Sequence, residues 1–523
     1  MFIFPQIKKY NSTNEISFTN IFGKEISKSK ESENLLLIIF IGLILNIILL
    51  FIIPIRGDEP YTLMTTSHGP LFAIEKAISF ELQAPFYFFL ISIWRLFNSS
   101  LIWARLFSII FYPFIVYFSF KASKKYIPQY NPHIFSALVA FNPTIVLMTC
   151  YARKYSLVLF LAVTILLLFY EAYLSDDHRK IYRILFVIIS IISLFTEYYF
   201  GFMLFAAGIS LLFLKNKKIF KNYLIDMILP VASLIILLPF IPTQLKTIYN
   251  PANKLITIFG YLQFLYERFE IYLIPIDYLK LNLNLQIVLR FVIFLIFIYS
   301  TYSILKNKSY HNKNVLIITL WITISFLFFI YILHTLGEAY IEPKHTIIIL
   351  IPAILVFYSF LSWIQNKRIK LIWFIIIFSI FIGSIAKHFI GTNQLSNVVN
   401  YVNTNENNNE PILLYSYQLQ KFFPYYYKGS NNVIGLPENI NINKPLNISK
   451  WAYHNTQEIK NNWAQFKNLE FLWLVTDKHN TNIIMGVNFH YNLLNEFINN
   501  YFLILDKKKF GNYEVRKLSP LNN

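Results

Sequence analysis

Twenty consecutive residues, Leu35 to Pro54, carry no charge, and a stretch of that length and character crosses the hydrocarbon core of a bilayer as a helix. Ten more apolar runs follow, at about 101–120, 134–150, 154–174, 181–196, 198–214, 223–242, 285–305, 314–334, 345–364 and 370–390. In lipid every backbone polar group must be satisfied inside its own segment, which leaves such a chain little choice but a helical bundle of about eleven spans. The pairs 134–174 and 181–214 are also readable as single long hairpins with other boundaries. A soluble domain of this size would show amphipathic periods with polar faces. Instead 56% of the residues are hydrophobic and 14% charged.

A net charge of +19 could suit nucleic acid, but its distribution excludes that partner. Most Lys and Arg lie in short connections: Arg179, Lys180 and Arg183; Lys215, Lys217, Lys218 and Lys221; Lys306, Lys308 and Lys313; Lys367, Arg368 and Lys370. The positive-inside rule places those connections in the cytoplasm. Residues 1–34, with Lys8, Lys9, Lys24, Lys28 and Lys30, then read as a cytoplasmic tail with no cleavable signal peptide. Connections 56–100 and 243–284 become outer loops, the first with two aromatic-rich stretches, 61–80 and 85–97, that suit interfacial helices. The transmembrane domain is thus 35–390, in the cytoplasmic (inner) membrane among its lipids. Residues 391–523 turn polar and Asn-rich around short apolar strands such as 412–415 and 471–475, with a helix at 492–501 and a closing 513–515. That pattern predicts a small extracytoplasmic α/β domain. The single cysteine, Cys150, excludes a disulfide framework and a Cys-based zinc site.

Asp58 and Glu59 stand where the first span ends. A carboxylate there is a functional candidate, since it costs free energy unless it meets water or substrate. It is equally readable as a cap for a helix starting at Pro60. Ionised, it would suit general-base work on an acceptor hydroxyl or amine. Glu81, at the break between the two loop helices, fits metal binding, substrate binding or capping. Arg153 and Lys154 are cations on the outer side, against the positive-inside bias, and point to an anion such as a phosphate, with headgroup snorkelling the alternative. Glu197 lies at the next outer turn. Lys344 and His345, with Glu338 and Glu342, precede the tenth span and suit a second phosphate oxygen or an interfacial anchor. His68 and His334 are isolated and read as structural.

In order and sidedness these elements resemble the GT-C superfamily of polytopic glycosyltransferases, in particular glycosyltransferase family 39 with the protein O-mannosyltransferases and the aminoarabinose transferases of lipid A. The elements are Asp58-Glu59-Pro60-Tyr61; Glu81-Leu82-Gln83-Ala84-Pro85-Phe86-Tyr87; Ala104-Arg105-Leu106-Phe107-Ser108; Ala152-Arg153-Lys154-Tyr155; Thr196-Glu197-Tyr198; and Pro343-Lys344-His345. The chain departs from the family pattern at Gln83 and Glu197, where the family has histidine, at Ala84, where it has proline, and at Lys344-His345, where it has Arg-Tyr. The resemblance implies a GT-C fold and a polyprenyl-phosphate sugar donor. A hexose or pentose would pass with inversion at the outer face to a lipid, glycan or protein acceptor. It implies Asp58 as general base, with Glu59 sharing or positioning. Arg153, Lys154, Lys344 and His345 would hold the donor phosphate, and Glu81, Gln83, Tyr87, Arg105 and Glu197 would bind substrate. No cofactor is certain, and Glu81 is the residue that would take a divalent metal if one is used. Two other classes compete. A transporter or flippase needs many spans but has little use for an acidic first loop, and no internal repeat supports one. An O-antigen ligase or polymerase relies on a large late outer loop.

Overall fold

The computed structural model describes residues 30–521 except 176–178, 241–256, 277–280, 307–312, 336–341, 363, 365, 391–393, 445–447, 478–482 and 485–486. The N-terminal segment 1–29, part of the 243–284 loop and Glu338 therefore lie outside the described residues.

All eleven apolar runs are mainly helical within the described residues, 134–150 being broken at 141–142. The first is α1 (Lys30–Ile52). Three short helices follow it, α2 (Glu59–Thr65), α3 (Pro70–Ser79) and α4 (Phe86–Arg95), where the sequence predicts interfacial segments. Next come α5 (Leu101–Tyr126), α6 (Pro132–Ala140), α7 (Pro143–Thr149), α8 (Tyr155–Phe169), α9 (Lys180–Thr196), α10 (Phe200–Ser210) and α11 (Lys217–Ser233). α12 (Ile258–Leu273), α13 (Leu283–Lys306), α14 (Lys313–Thr335), α15 (Leu350–Ser362) and α16 (Lys367–Ile390) complete the bundle. Among the described residues seven helices are long and apolar enough to cross a membrane, or eight if α6 and α7, bent by 56°, form one span. The bend falls where Asn142 Oδ1 accepts from the Thr144 and Ile145 amides and Pro143 follows at the first helical position, so the sequence starts a new helix there. The protein is a multi-pass membrane protein. Leu36, Leu37, Phe40 and Ile41 of α1 lie exposed, as a lipid-facing surface requires.

The short helices are pinned beside the bundle. Trp94 of α4 and Trp103 of α5 stack at 4.4 Å, and each indole donates to the other's carbonyl at 2.8 Å.

After α17 (Gln394–Asn405) the chain forms a five-stranded sheet in the order β2-β1-β3-β7-β6. Its strands are β1 (Ile412–Tyr415), β2 (Val433–Leu436), β3 (Leu472–Asp477), β6 (Phe502–Phe510) and β7 (Tyr513–Pro520), with a small β4 (Ile483–Ile484) and β5 (Val487–Asn488) pair apart. β1 runs parallel to both neighbours and is buried throughout, which explains its unbroken apolar sequence. Strand alternation sends Ile412 and Leu414 to a core with Leu395, Val398 and Phe423, while Leu413 and Tyr415 face Trp463, Leu494 and Phe497. The first face is covered by α17 and α18 (Tyr417–Tyr426), the second by α19 (Thr456–Trp463) and α20 (Tyr491–Tyr501).

α18 also docks on the exit of α1. Tyr426 Oη accepts from the Ile55 amide at 3.1 Å, Tyr425 Oη donates to the Pro60 carbonyl at 3.4 Å, and Phe422 and Tyr426 pack on the bundle core.

Candidate active site

The site grows from the turn between α1 and α2. Gly57 adopts φ +56°, a left-handed conformation that costs a residue with a Cβ about 1–2 kcal/mol. It turns the chain so that Asp58 precedes α2. Asp58 occupies the N-cap position but its side chain makes no capping bond. Its carboxylate instead meets cations from three other parts of the chain. Lys344 Nζ lies 3.1 Å from Oδ2, Arg153 Nη2 3.9 Å from Oδ2, and Lys421 Nζ, from α18, 3.9 Å from Oδ1. Burial opposes charge on Asp58, yet Arg153, Lys344 and Lys421 outweigh it and hold the carboxyl well below the usual carboxylate range.

Glu81 closes the cluster behind Arg153. Arg153 Nη1 donates to Glu81 Oε1 and Oε2 at 3.0 and 3.1 Å and to Thr62 Oγ1 at 2.9 Å. Thr65 and Gln83 donate to the same carboxylate at 3.4 and 3.2 Å. Arg153 Nε is buried without a hydrogen-bond partner among the described residues, and a buried unmade donor is costly. Arg153, Glu81 and Lys421 are nearly inaccessible, whereas Asp58 is 27% exposed and Lys344 24%. Within the cluster a ligand can therefore reach Asp58 and Lys344, the latter also ion-paired with the partly exposed Glu342.

Glu59 has a different setting from its neighbour. It is 1% exposed and receives Arg105 Nε at 2.8 Å, Arg105 Nη2 at 2.7 Å, the Ala152 amide at 2.8 Å and the Arg56 amide at 3.0 Å. Arg105 also donates to the carbonyls of Leu50, Ile53 and Pro54. Those carbonyls belong to the last turn of α1 and the two residues after it, where a helix end leaves acceptors unsatisfied. The Glu59–Arg105 pair thus fastens α1, α2, α5 and the turn before α8 together.

Lys154 and Glu197 pair with each other at 2.7 Å, both buried. His345 Nδ1 accepts from the Glu342 amide at 3.1 Å, and its ring meets Tyr199 edge-on. Tyr87 is buried in the bundle core beside Phe88 and Phe107. The structure therefore joins Asp58, Glu81, Arg153 and Lys344 in one cluster, with Gln83 at its edge. It places Glu59 with Arg105, and Lys154 with Glu197, in separate buried pairs. Lys421 has no counterpart in the sequence reading. It lies in the C-terminal region within no motif, and only its burial beside Asp58 marks it.

Glu81 is engaged in hydrogen bonds on both carboxylate oxygens. Its immediate partners are a guanidinium, an amide NH2 and a hydroxyl, and among the described residues no three His, Cys, Asp or Glu side chains converge as a ligand set.

No family model and no curated protein matches the sequence. Solved structures do. ArnT of Cupriavidus metallidurans, crystallised bound to undecaprenyl phosphate, aligns over 94% of this chain and 98% of its own, with TM-score 0.57 and 11% identity. Its apo state aligns over the same shares at TM-score 0.56 and 11% identity. The fold is that of the GT-C glycosyltransferases. An oligosaccharyltransferase of Archaeoglobus fulgidus, crystallised with Zn and sulfate, aligns over 84% of this chain and 68% of its own at 12% identity and TM-score 0.46. An alignment over 94% of this chain is longer than the transmembrane bundle alone and so takes in the C-terminal domain as well.

Proposed function

We propose that this protein is a glycosyltransferase that moves a sugar from a polyprenyl-phosphate donor to an acceptor at the outer face of the cytoplasmic membrane. The observation that carries the reading is the accessible Asp58 carboxylate set among Arg153, Lys344 and Lys421. That the ArnT with this fold was crystallised with undecaprenyl phosphate supports the donor class. Loop charge supports the outer location.

In this reading Asp58 takes the proton of the acceptor hydroxyl or amine as that atom attacks the anomeric carbon from the face opposite the phosphate. The bond from the anomeric carbon to the phosphate oxygen breaks, and its electron pair leaves with the polyprenyl phosphate, inverting the configuration. Lys344 and Arg153 stabilise the charge that develops on the leaving phosphate in a site of low dielectric. The same cations couple the two halves of the reaction. Without donor they hold Asp58 as a weak base, and a bound phosphate draws them toward itself and raises the basicity of the carboxylate. Glu81 keeps Arg153 oriented, while Glu59 with Arg105 places the turn.

The test is turnover of undecaprenyl-phosphate sugars by the purified protein in bilayers, with the anomeric configuration of the product read by NMR. Covalent transfer with inversion is expected. Movement of donor across proteoliposomes without a covalent product would overturn the reading. Lys344→Met is expected to bind undecaprenyl phosphate about 10- to 100-fold more weakly, the loss of one charge-assisted hydrogen bond of roughly 1.5–3 kcal/mol. Equilibrium binding in nanodiscs measures it.

A further inference from the structure

Lys421 reaches the Asp58 cluster from the C-terminal sheet domain, not from the bundle. Its side chain is 4% exposed, and Nζ lies 3.9 Å from Asp58 Oδ1. Nζ also donates to the Gly57 carbonyl at 3.2 Å and stands 4.5 Å from the centre of the Tyr61 ring. The two oxygens of Asp58 are divided: Oδ2 faces Lys344 and Arg153, and Oδ1 faces Lys421. We propose that Lys421 is a positioning residue of the transferase, a cation delivered by the C-terminal domain that holds Asp58 and the Gly57 turn in the geometry for transfer. The inference rests on the glycosyltransferase reading above.

Lysine is among the residues least often buried. Between Tyr61 and Phe422 a methionine would fill the same space without desolvating a charge, so packing alone does not account for a lysine. Asp58 does. The charged groups around Lys421 are Asp58 at the first turn, Lys344 ahead of α15, Arg153 ahead of α8 and Glu81 between α3 and α4. Burial, then repulsion by Lys344 and Arg153, outweighs attraction by Asp58 and Glu81 and pushes the lysine down to about 8. Below that pH the cation is present and Asp58 is held from both sides. As pH rises through it the cation is lost, while Arg153 keeps its charge, since a guanidinium does not deprotonate in proteins.

The pH dependence of kcat/KM reports the free enzyme, the state described here. The wild type is expected to show an alkaline limb near the pH at which Lys421 loses its proton. In Lys421→Arg, activity persists and the limb moves up by more than one pH unit. In Lys421→Met, kcat/KM falls about 30-fold or more at neutral pH and the limb disappears. A second measurement does not depend on turnover. Undecaprenyl phosphate is a dianion throughout pH 7–9.5, its second ionisation lying near about pH 6. It should bind the wild type about tenfold more weakly at the upper pH and bind Lys421→Arg equally at both. Wild-type and Lys421→Arg curves that superimpose in both measurements overturn the inference, as does a folded Lys421→Met with wild-type kcat/KM. Donor turnover that survives in the wild type and is abolished by Asp58→Asn upholds the glycosyltransferase reading in either case. Failure of the wild type to turn over any donor strikes that reading and not the binding result.

Discussion

Asp58→Asn is expected to lower glycosyl transfer by about 10²–10⁴-fold, the range that a positioned general base contributes, while leaving the protein folded and inserted. The amide is nearly isosteric and can still accept a hydrogen bond from Lys344, so the turn into α2 keeps its shape. What it loses is the charge and the proton affinity. The three cations lose one negative partner, although Arg153 keeps Glu81 and Lys344 keeps Glu342; the site gains net positive charge, and donor binding is therefore expected to hold or tighten as kcat falls. That split identifies a base: a residue that only placed the cations would weaken binding and turnover together. Single-turnover kinetics and undecaprenyl phosphate titration on one preparation read both quantities. The pH profile carries a second signature. Because the cations keep the Asp58 carboxyl below its ordinary value, the carboxylate stays ionised as pH falls through about 4, where a free aspartate would protonate. The kcat/KM of the wild type should have no acid limb from Asp58 above that pH. A limb at pH 5 or 6 that disappears in Asp58→Asn would contradict the arrangement. So would full activity in the variant.

The bundle was legible in the sequence because lipid removes the alternatives to a helix: each apolar run from 35–54 to 370–390 is mainly helical where it is described, with turns at run ends and a break at 141–142. The C-terminal strands read at 412–415 and 471–475, observed at Ile412–Tyr415 and Leu472–Asp477, were legible for a related reason, since a strand buried on both faces carries an apolar run. Asp58, Arg153 and Lys344 announced themselves by charge beside apolar runs, and Glu81 by charge at the break between two aromatic-rich loop segments. The pairing of those charges was not readable. Adjacent carboxylates look alike in sequence, yet one turn of backbone sends Asp58 toward accessible cations and Glu59 toward Arg105 and two backbone amides. Lys154 follows Arg153 directly, and the start of α8 turns it toward Glu197 instead of Asp58. Lys421 was beyond reach for another reason. Its partner is separated from it by the whole bundle, and a lysine in a polar, Asn-rich region carries no mark of burial.

Glu59→Ala is expected to destabilise the protein by about 3–5 kcal/mol, the cost of leaving one member of a buried ion pair without its partner. Arg105 would remain 2% exposed with its Nε and one bond of Nη2 unmade, and the Ala152 and Arg56 amides would lose their acceptor. The damage should pass to the site by contact, because Ala152 adjoins Arg153 and Glu59 adjoins Asp58. Glu59→Gln separates a clasp from a base. The amide keeps an acceptor oxygen for one of these donors but presents an NH2 to the others, so stability falls while a neutral side chain of the same shape still spans the gap. If Glu59 acts by holding α1, α2, α5 and the turn before α8 together, the folded fraction of Glu59→Gln retains kcat within about tenfold, and cooling or bound undecaprenyl phosphate restores activity, because ligand that binds only the native state stabilises it by mass action. If Glu59 accepts the acceptor's proton, kcat falls as far as in Asp58→Asn and no amount of ligand restores it. Arg105→Lys provides the matching control. It preserves the charge but not the planar fork that reaches Glu59 and the carbonyls of Leu50, Ile53 and Pro54 at once, and it should lower thermal stability with the same ligand rescue. Rescue in both variants identifies the pair as the fastening that lets Asp58 meet Lys344, and its absence in Glu59→Gln alone would give Glu59 a share of the chemistry.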